Sequence, residues 1–343
     1  MSRQRAMAAL RLQPTDAIPR MEMIDNDELM REAGFDPASP LEMENIWPKL
    51  SQKLGLDFVC HQYEMPAKGR YTRLGHAAWN TPWGYDGETG CPFATTDEVL
   101  AFNPAAEWGI APHAEMTAEF RRVLEAARAA APDVAVPGGR YNTVFSACIR
   151  AFGWEMFLAS VPGHEREFDR VLEGFTEISI AESRAWADAG VEVFMTHDDI
   201  AWTSGPVFAP AWYRRYVFPR YTRIWQPLKE RGIPVIYLSD GDYSPFVDDI
   251  AAAGADGFIF EPCVSLETMV GKFGRTKALL GNADCRVLMS GDGDDVEREV
   301  LRCVDLGRDC PGYFMLMSNH IPNNVPHDNV RRYFDAFERL RGR

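Results

Sequence analysis

Four side chains suited to metals or protons stand just behind apolar runs in the second half of the chain: Asp240, Glu261, Cys263 and His320. Carboxylate, thiolate and imidazole together suit zinc, and the same groups can move protons. Asp240, Cys263 and His320 are the residues expected to bind a metal. Their spacing is not a compact motif, and Cys263 reads equally well as a small buried residue. His197 and Asp198, in the cluster His197-Asp198-Asp199, are expected to serve as acid or base together with His61. Arg20 and Arg140 could hold carboxylates, and Tyr63, Tyr141 and Trp202 could wall an apolar pocket. Asp199, Asp242 and Asp284 fit helix capping or loop fixing as well as chemistry. His164 with Glu165, and His327 with Asp328, read as caps. His76 and His113 read as surface groups, and Cys60, Cys285 and Cys303 as core.

These side chains become a site only if the fold gathers them. The runs Asp133–Pro137, Val191–Thr196, Ile233–Leu238, Gly257–Phe260, Lys277–Leu280 and Tyr313–Met317 are short and apolar, as strands buried on both faces are. Amphipathic stretches lie between them. Glu165–Ala189, Ala209–Arg231 and Asp294–Leu306 each precede a glycine that could cap a helix end, and Asp328–Arg341 is a final helix. Ala17–Met23 and Leu56–His61 would bring the strands to eight. The reading is α/β: a single (β/α)8 TIM barrel over residues 1–343. It has an N-terminal extension and a long loop excursion, about Pro66–Pro112, over the barrel mouth. Active sites of such barrels sit where the strands end, and there the polar clusters fall. An open doubly wound sheet is the alternative, but no glycine-rich phosphate fingerprint follows the first strand.

The bulk properties exclude some partners. A formal charge of −14 with no basic patch argues against nucleic acid or an anionic membrane. No apolar stretch is long enough to span a bilayer, and the apolar segment near the start is too short for a secretory signal. Seven cysteines without a CxxC pair imply reduced thiols and a cytoplasmic location.

From residue 185 onward the motifs become specific. Gly190-Val-Glu-Val-Phe-Met-Thr-His-Asp-Asp-Ile-Ala201, Gly205-Pro206, Asp240-Gly241, Gly281-Asn282-Ala283-Asp284 and Asn319-His320-Ile321-Pro322 run in register. Together they resemble the uroporphyrinogen decarboxylase superfamily, which implies a (β/α)8 barrel. The decarboxylases' Arg-Gln-Ala-Gly-Arg signature survives only as Arg31-Glu32-Ala33-Gly34-Phe35. The thiol-activating methyltransferases bind zinc through a His-x-Cys pair and a final Cys. Those positions hold Leu238, Asp240 and Asn319 here.

The resemblance is closer to the corrinoid-dependent, O-demethylating methyltransferases. It implies transfer of a methyl group from a small methylated, methoxy-type donor to cobalamin on a partner corrinoid protein, with zinc as Lewis acid. The cobalamin would arrive on another chain, since the Asp-x-His-x-x-Gly pattern of a corrinoid domain is not found in the sequence. A homodimer is one assembly open to such a chain. The alternative is a metal-independent decarboxylase or related lyase, with Arg20 and Arg140 on the carboxylates and Asp198 assisting proton transfer. A non-catalytic corrinoid-docking protein is the third reading. It would lack ionisable groups at the strand ends.

Overall fold

The computed structural model describes residues 2–43, 45–72 and 91–343. Eleven strands are formed among them: β1 (Met21–Asp25), β2 (Phe58–Val59), β3 (Gly138–Arg140), β4 (Phe194–His197), β5 (Ala201–Trp202), β6 (Gly205–Pro206), β7 (Val235–Leu238), β8 (Gly257–Ile259), β9 (Ala278–Leu280), β10 (Tyr313–Phe314) and β11 (His320–Pro322). Six make one parallel sheet in the order β10-β9-β8-β7-β4-β3, and β11-β1-β2 make a second. β5 and β6 form an antiparallel hairpin. Single parallel bridges, Arg20–Met315 and Phe58–Ala135, link the two sheets at both edges. The Met21 N–H donates to the Met315 carbonyl at 3.0 Å, and the Ala135 N–H to that of Asp57 at 3.0 Å.

The core divides in two. The larger part lies between strands and helices. The smaller lies against the strands and is built from alternate positions: Met21 and Met23, Val193 and Met195, Ile236 and Leu238, Phe314 and Leu316, with Phe58 and Ile259. Strand side chains alternate with period two, so each of these strands sends every second residue to the same interior. Ala6, Met7, Ala9 and Leu10 of the helix Ser2–Leu10 belong to this inner cluster.

Most elements form where composition dictates. The helix Glu165–Ala189 has acidic residues in its first turn and ends on Gly190 in the left-handed region, φ 88°. Other expectations are corrected. The stretch Ala209–Arg231 is two helices, Pro210–Tyr216 and Phe218–Lys229. Pro219 supplies no N–H, and its ring disfavours helical geometry just before it. Gly307 ends the helix Gly293–Gly307 from inside, and Arg308 is the cap.

The Asp133–Pro137 run contributes only the Ala135 bridge; the strand itself is Gly138–Arg140. Both glycines are forced by close approach. A Cβ at 138 would strike the Trp186 ring, and one at 139 the Met195 carbonyl. His320-Ile321-Pro322, expected as a polar tail after the last strand, is a strand paired with β1. Within the Pro66–Pro112 excursion two short helices form, Thr96–Ala101 and Pro104–Glu107, capped by Thr95 and Asn103. Phe93 and Phe102 of this region pack on Phe152 and Phe175. Residues 73–90, and with them His76, lie outside the described residues. No helix among the described residues is long and apolar enough to cross a membrane.

Candidate active site

Alternation carries the inner face of the sheet out to its C-terminal end. Two residues beyond Met195, Leu238 and Ile259 stand His197, Asp240 and Glu261. Apolar layers thus give way to an acidic one with a single imidazole in it. His197 is buried at the end of β4. Its Nδ1 lies 2.8 Å from the Tyr141 carbonyl and its Nε2 3.0 Å from Asp199 Oδ1. The Tyr141 ring stacks on it at 4.1 Å. Both nitrogens therefore face acceptors, which suits the imidazolium. Burial alone would depress the His197 pKa, but Asp199, with Asp240 behind it, outweighs that and raises it to about 9. Burial likewise opposes ionisation of Asp199, and the facing imidazolium overcomes it and holds this carboxyl below its ordinary range.

Asp199 Oδ1 also accepts the backbone N–H of Asp240 at 2.9 Å. The Asp240 carboxyl is pushed up to about 8, first by burial and then by the charges of Asp199 and Glu261. Glu261 Oε2 accepts the Gly241 N–H at 2.8 Å. Asn319 aims its Nδ2 at Asp240 Oδ2 and Glu261 Oε1, each at 3.4 Å, and its Oδ1 stands 2.8 Å from His320 Nδ1. His320 packs edge-on to Trp47 at 5.5 Å, and burial lowers its pKa to about 4. At neutral pH the layer therefore carries protons on His197 and Asp240, with a neutral imidazole at His320.

Other expected residues stand elsewhere. Asp198 is fully buried and accepts from the backbone N–H groups of Val144, Phe145 and Ser146, at 3.2, 3.0 and 2.6 Å, and from the Tyr221 hydroxyl at 2.7 Å. It caps the helix Phe145–Ser160 from a neighbouring strand end instead of facing the mouth. Arg20 is buried on the helix side, its guanidinium 4.3 Å over the Phe334 ring and donating to the Leu54 carbonyl at 3.1 Å. Arg140 is buried in a bond to Glu182, with Glu64 at 3.8 Å. Tyr63 donates to Glu119 at 2.9 Å. His61 is half-buried behind β2, its Nδ1 3.2 Å from the Pro137 carbonyl, and burial lowers its pKa. Trp202 is 46% exposed on the β5–β6 hairpin, 5.8 Å from Trp154.

Asp284 caps the helix Cys285–Ser290 through the Arg286 N–H, and Asp242 binds the Ser244 N–H at 3.0 Å. His164 precedes its helix without a side-chain capping bond. His113 opens the helix His113–Ala130 and reaches Asp188 at 2.7 Å, and His327 reaches Glu32 at 2.8 Å. Cys303 is buried as expected, whereas Cys60 and Cys285 are half-buried.

Asp240, Cys263 and His320 are not presented as a ready zinc set. Asp240 and His320 both turn to Asn319, and burial pushes the metal-free Cys263 thiol up to about 11. Among the described residues no group of three or more His, Cys, Asp or Glu is arranged to hold a metal ion. Glu261 belongs to the layer, and Asp199 and Asn319 join it. Asp199 could have been found by counting two residues on from His197; Asn319 gave no signal beyond adjacency to His320.

Comparison with known proteins places the chain in a family. In sequence the chain is 33% identical over 173 residues to the uroporphyrinogen decarboxylase of Syntrophotalea carbinolica, covering 50% of this chain and 49% of that protein. It is 30% identical over 178 residues to a Thermus thermophilus uroporphyrinogen decarboxylase, covering 52% and 50%. The alignments thus span about half the length of these curated relatives. In structure it resembles a methyltransferase from Methanosarcina mazei, with TM-score 0.69 at 19% identity and 98% of both chains covered, a likeness of fold. The family model described as uroporphyrinogen decarboxylase (URO-D) matches residues 116–340, well over half the chain, which therefore belongs to that family.

Proposed function

We propose that this chain transfers a methyl group from a small methoxy-type donor to cobalamin carried by a partner corrinoid protein. In this reading the strands close into a (β/α)8 barrel through the Arg20–Met315 and Phe58–Ala135 bridges, and the reaction takes place at the acidic layer. The observation that carries the proposal is the His197–Asp199–Asp240 arrangement: two groups hold protons near neutral pH at the end of the inner core. Alkoxides and phenolates leave poorly, and a positioned acid that protonates the departing oxygen removes that barrier. His197 is the source of the proton and passes it on through Asp199, the more exposed of the pair, whose carboxylate takes its Nε2–H and stabilises its charged form, while the stacked Tyr141 ring fixes its plane. Asp240 is the second proton carrier. When bound, reduced cobalamin supplies the nucleophile that takes the methyl group. Zinc at this mouth is proposed on donor type alone, and the metal content of the protein as purified tests it.

Decarboxylation is the second reading, favoured by the names of the sequence relatives. Against it, Arg20 and Arg140 are already committed, one against Phe334 and the Leu54 carbonyl, the other to Glu182. The discriminating assay mixes the protein with methoxylated aromatics and Co(I) cobalamin and follows methylcobalamin by its absorbance. Formation that falls at least tenfold in His197→Gln is the expected result. No methylcobalamin, together with CO2 release from uroporphyrinogen, overturns it.

A further inference from the structure

Asn319 has a conformation that ordinary residues avoid, φ 62°, at the point where the chain turns from β10 into β11. Asn, Asp and Gly tolerate this left-handed region best. The turn lets the side chain fold back onto its own successor. Its Oδ1 accepts the backbone N–H of His320 at 2.9 Å. A backbone N–H can only donate, so this bond fixes which end of the amide is oxygen. The same Oδ1 lies 2.8 Å from His320 Nδ1. An amide oxygen can only accept, so Nδ1 must carry the hydrogen and the lone pair falls on Nε2. The other end of the amide, necessarily NH2, is the end turned to Asp240 and Glu261.

We propose that Asn319 is a positioning residue that sets His320 in the Nδ1–H tautomer and thereby makes it the acceptor of the mouth, opposite His197, the donor. In that tautomer Nε2 carries the lone pair and has no proton to give. One side chain thus couples the last strand end to the carboxylates at the ends of β7 and β8. The opposed donor and acceptor roles rest on the proposed reading of the mouth as a proton-handling site. The tautomer does not.

The test is nitrogen NMR on the intact protein labelled at histidine, with the His320 signals assigned by their loss in His320→Gln. The wild type is expected to show a protonated Nδ1 and an unprotonated Nε2. Asn319→Asp keeps an acceptor oxygen and tolerates the turn, so the tautomer persists. Asn319→Gly removes the side chain without straining the backbone. In it the Nδ1–H signature is lost, and Nε2 shifts into the protonated range. A protonated Nε2 in the wild type, or an Nδ1–H tautomer that survives Asn319→Gly, overturns the proposal. Because no substrate is needed, failure of both the methyl-transfer and the decarboxylation assays would leave a confirmed tautomer standing, and the two readings can fail separately.

Discussion

The chemistry at the mouth depends on a charge partition that single substitutions can reverse. Asp199→Asn keeps the shape of the His197 contact and removes its counter-charge. With burial then opposed only by Asp240 and the Tyr141 carbonyl, the His197 pKa should fall from about 9 back toward or below its ordinary 6.5. Titration of the His197 ring protons by NMR reads this directly, and an unchanged midpoint would refute the pairing. The linkage has two ends. A His with a raised folded pKa contributes stability that is full below about pH 6.5 and is lost as pH rises through about 9. Asp199, with a lowered folded pKa, contributes above its ordinary 3.8 and loses that as pH falls through its lower folded value. The variant should therefore be destabilised most between these limits, measured as the drop in urea midpoint near pH 6. At this scale the sequence was partly legible. His197 and Asp240 stood out because they follow apolar runs. Asp198 misled, since adjacent positions on a strand face opposite sides and it points to the helix layer when His197 points inward. Arg20 and Arg140 misled because sequence shows a cation but not the Phe334 ring or the Glu182 carboxylate that occupies it.

Elements hold this partition in place through a few contacts of high leverage. The helix Phe145–Ser160 begins with no side-chain cap of its own, and Asp198 supplies one from β4's end. Removing that carboxylate in Asp198→Ala strands three backbone donors and the Tyr221 hydroxyl in a buried place. The cost should be about 3–5 kcal/mol, read from chemical denaturation. A loss under about 1 kcal/mol would mean that water or a rearranged turn replaces the cap. Gly241 is a second such point. It sits at φ 76°, and a Cβ there would overlap the carbonyl of Ala201. Gly241→Ala should push the β5–β6 hairpin away from the Asp240 loop, lower the melting temperature by several degrees, and weaken the Asp242 N–H bond to the Trp202 carbonyl, now 2.9 Å. Helix positions were legible because amphipathic periodicity and end glycines are local signals. The break at Val217 and the strand character of Gly138-Gly139 were not. The first needed the proline two positions on, which supplies no N–H and crowds the turn before it, and the second needed Trp186, almost fifty positions away, to explain why side chains are excluded.

For the whole molecule, the α/β alternation was readable from residue 130 onward, where units are regular, and least so in the first third, where β2 is two residues long and rests on distant partners, β1 on one side and the Ala135 bridge on the other. Besides the β1–β11 pairing, a buried pair of contacts around Glu22 joins that first third to the last. Its Oε2 accepts the Met317 N–H at 3.0 Å, and its Oε1 accepts from the Tyr333 hydroxyl at 2.6 Å, so one carboxyl ties β1 to the chain after β10 and to the helix His327–Leu340. Burial is the main influence on this group and raises its pKa from 4.5 to about 7, although both donors and the nearby Arg20 favour ionisation. The folded state therefore binds this proton more tightly than the unfolded state. Its contribution to stability is full below about pH 4.5 and is lost as pH rises through about 7. Glu22→Gln keeps the shape and removes the titration. The variant's absolute stability depends on how Tyr333 reorients and how Arg20 fares without its counter-charge, but the pH slope does not. Between pH 5 and 6.5 the wild type should lose stability relative to Glu22→Gln at a rate approaching about 1.4 kcal/mol per pH unit, the value for one proton. Parallel urea titrations of both proteins across that interval measure the difference. Parallel slopes would mean that Glu22 ionises in the folded state much as it does in the unfolded chain, and that the junction between first and last strands carries a full charge at neutral pH.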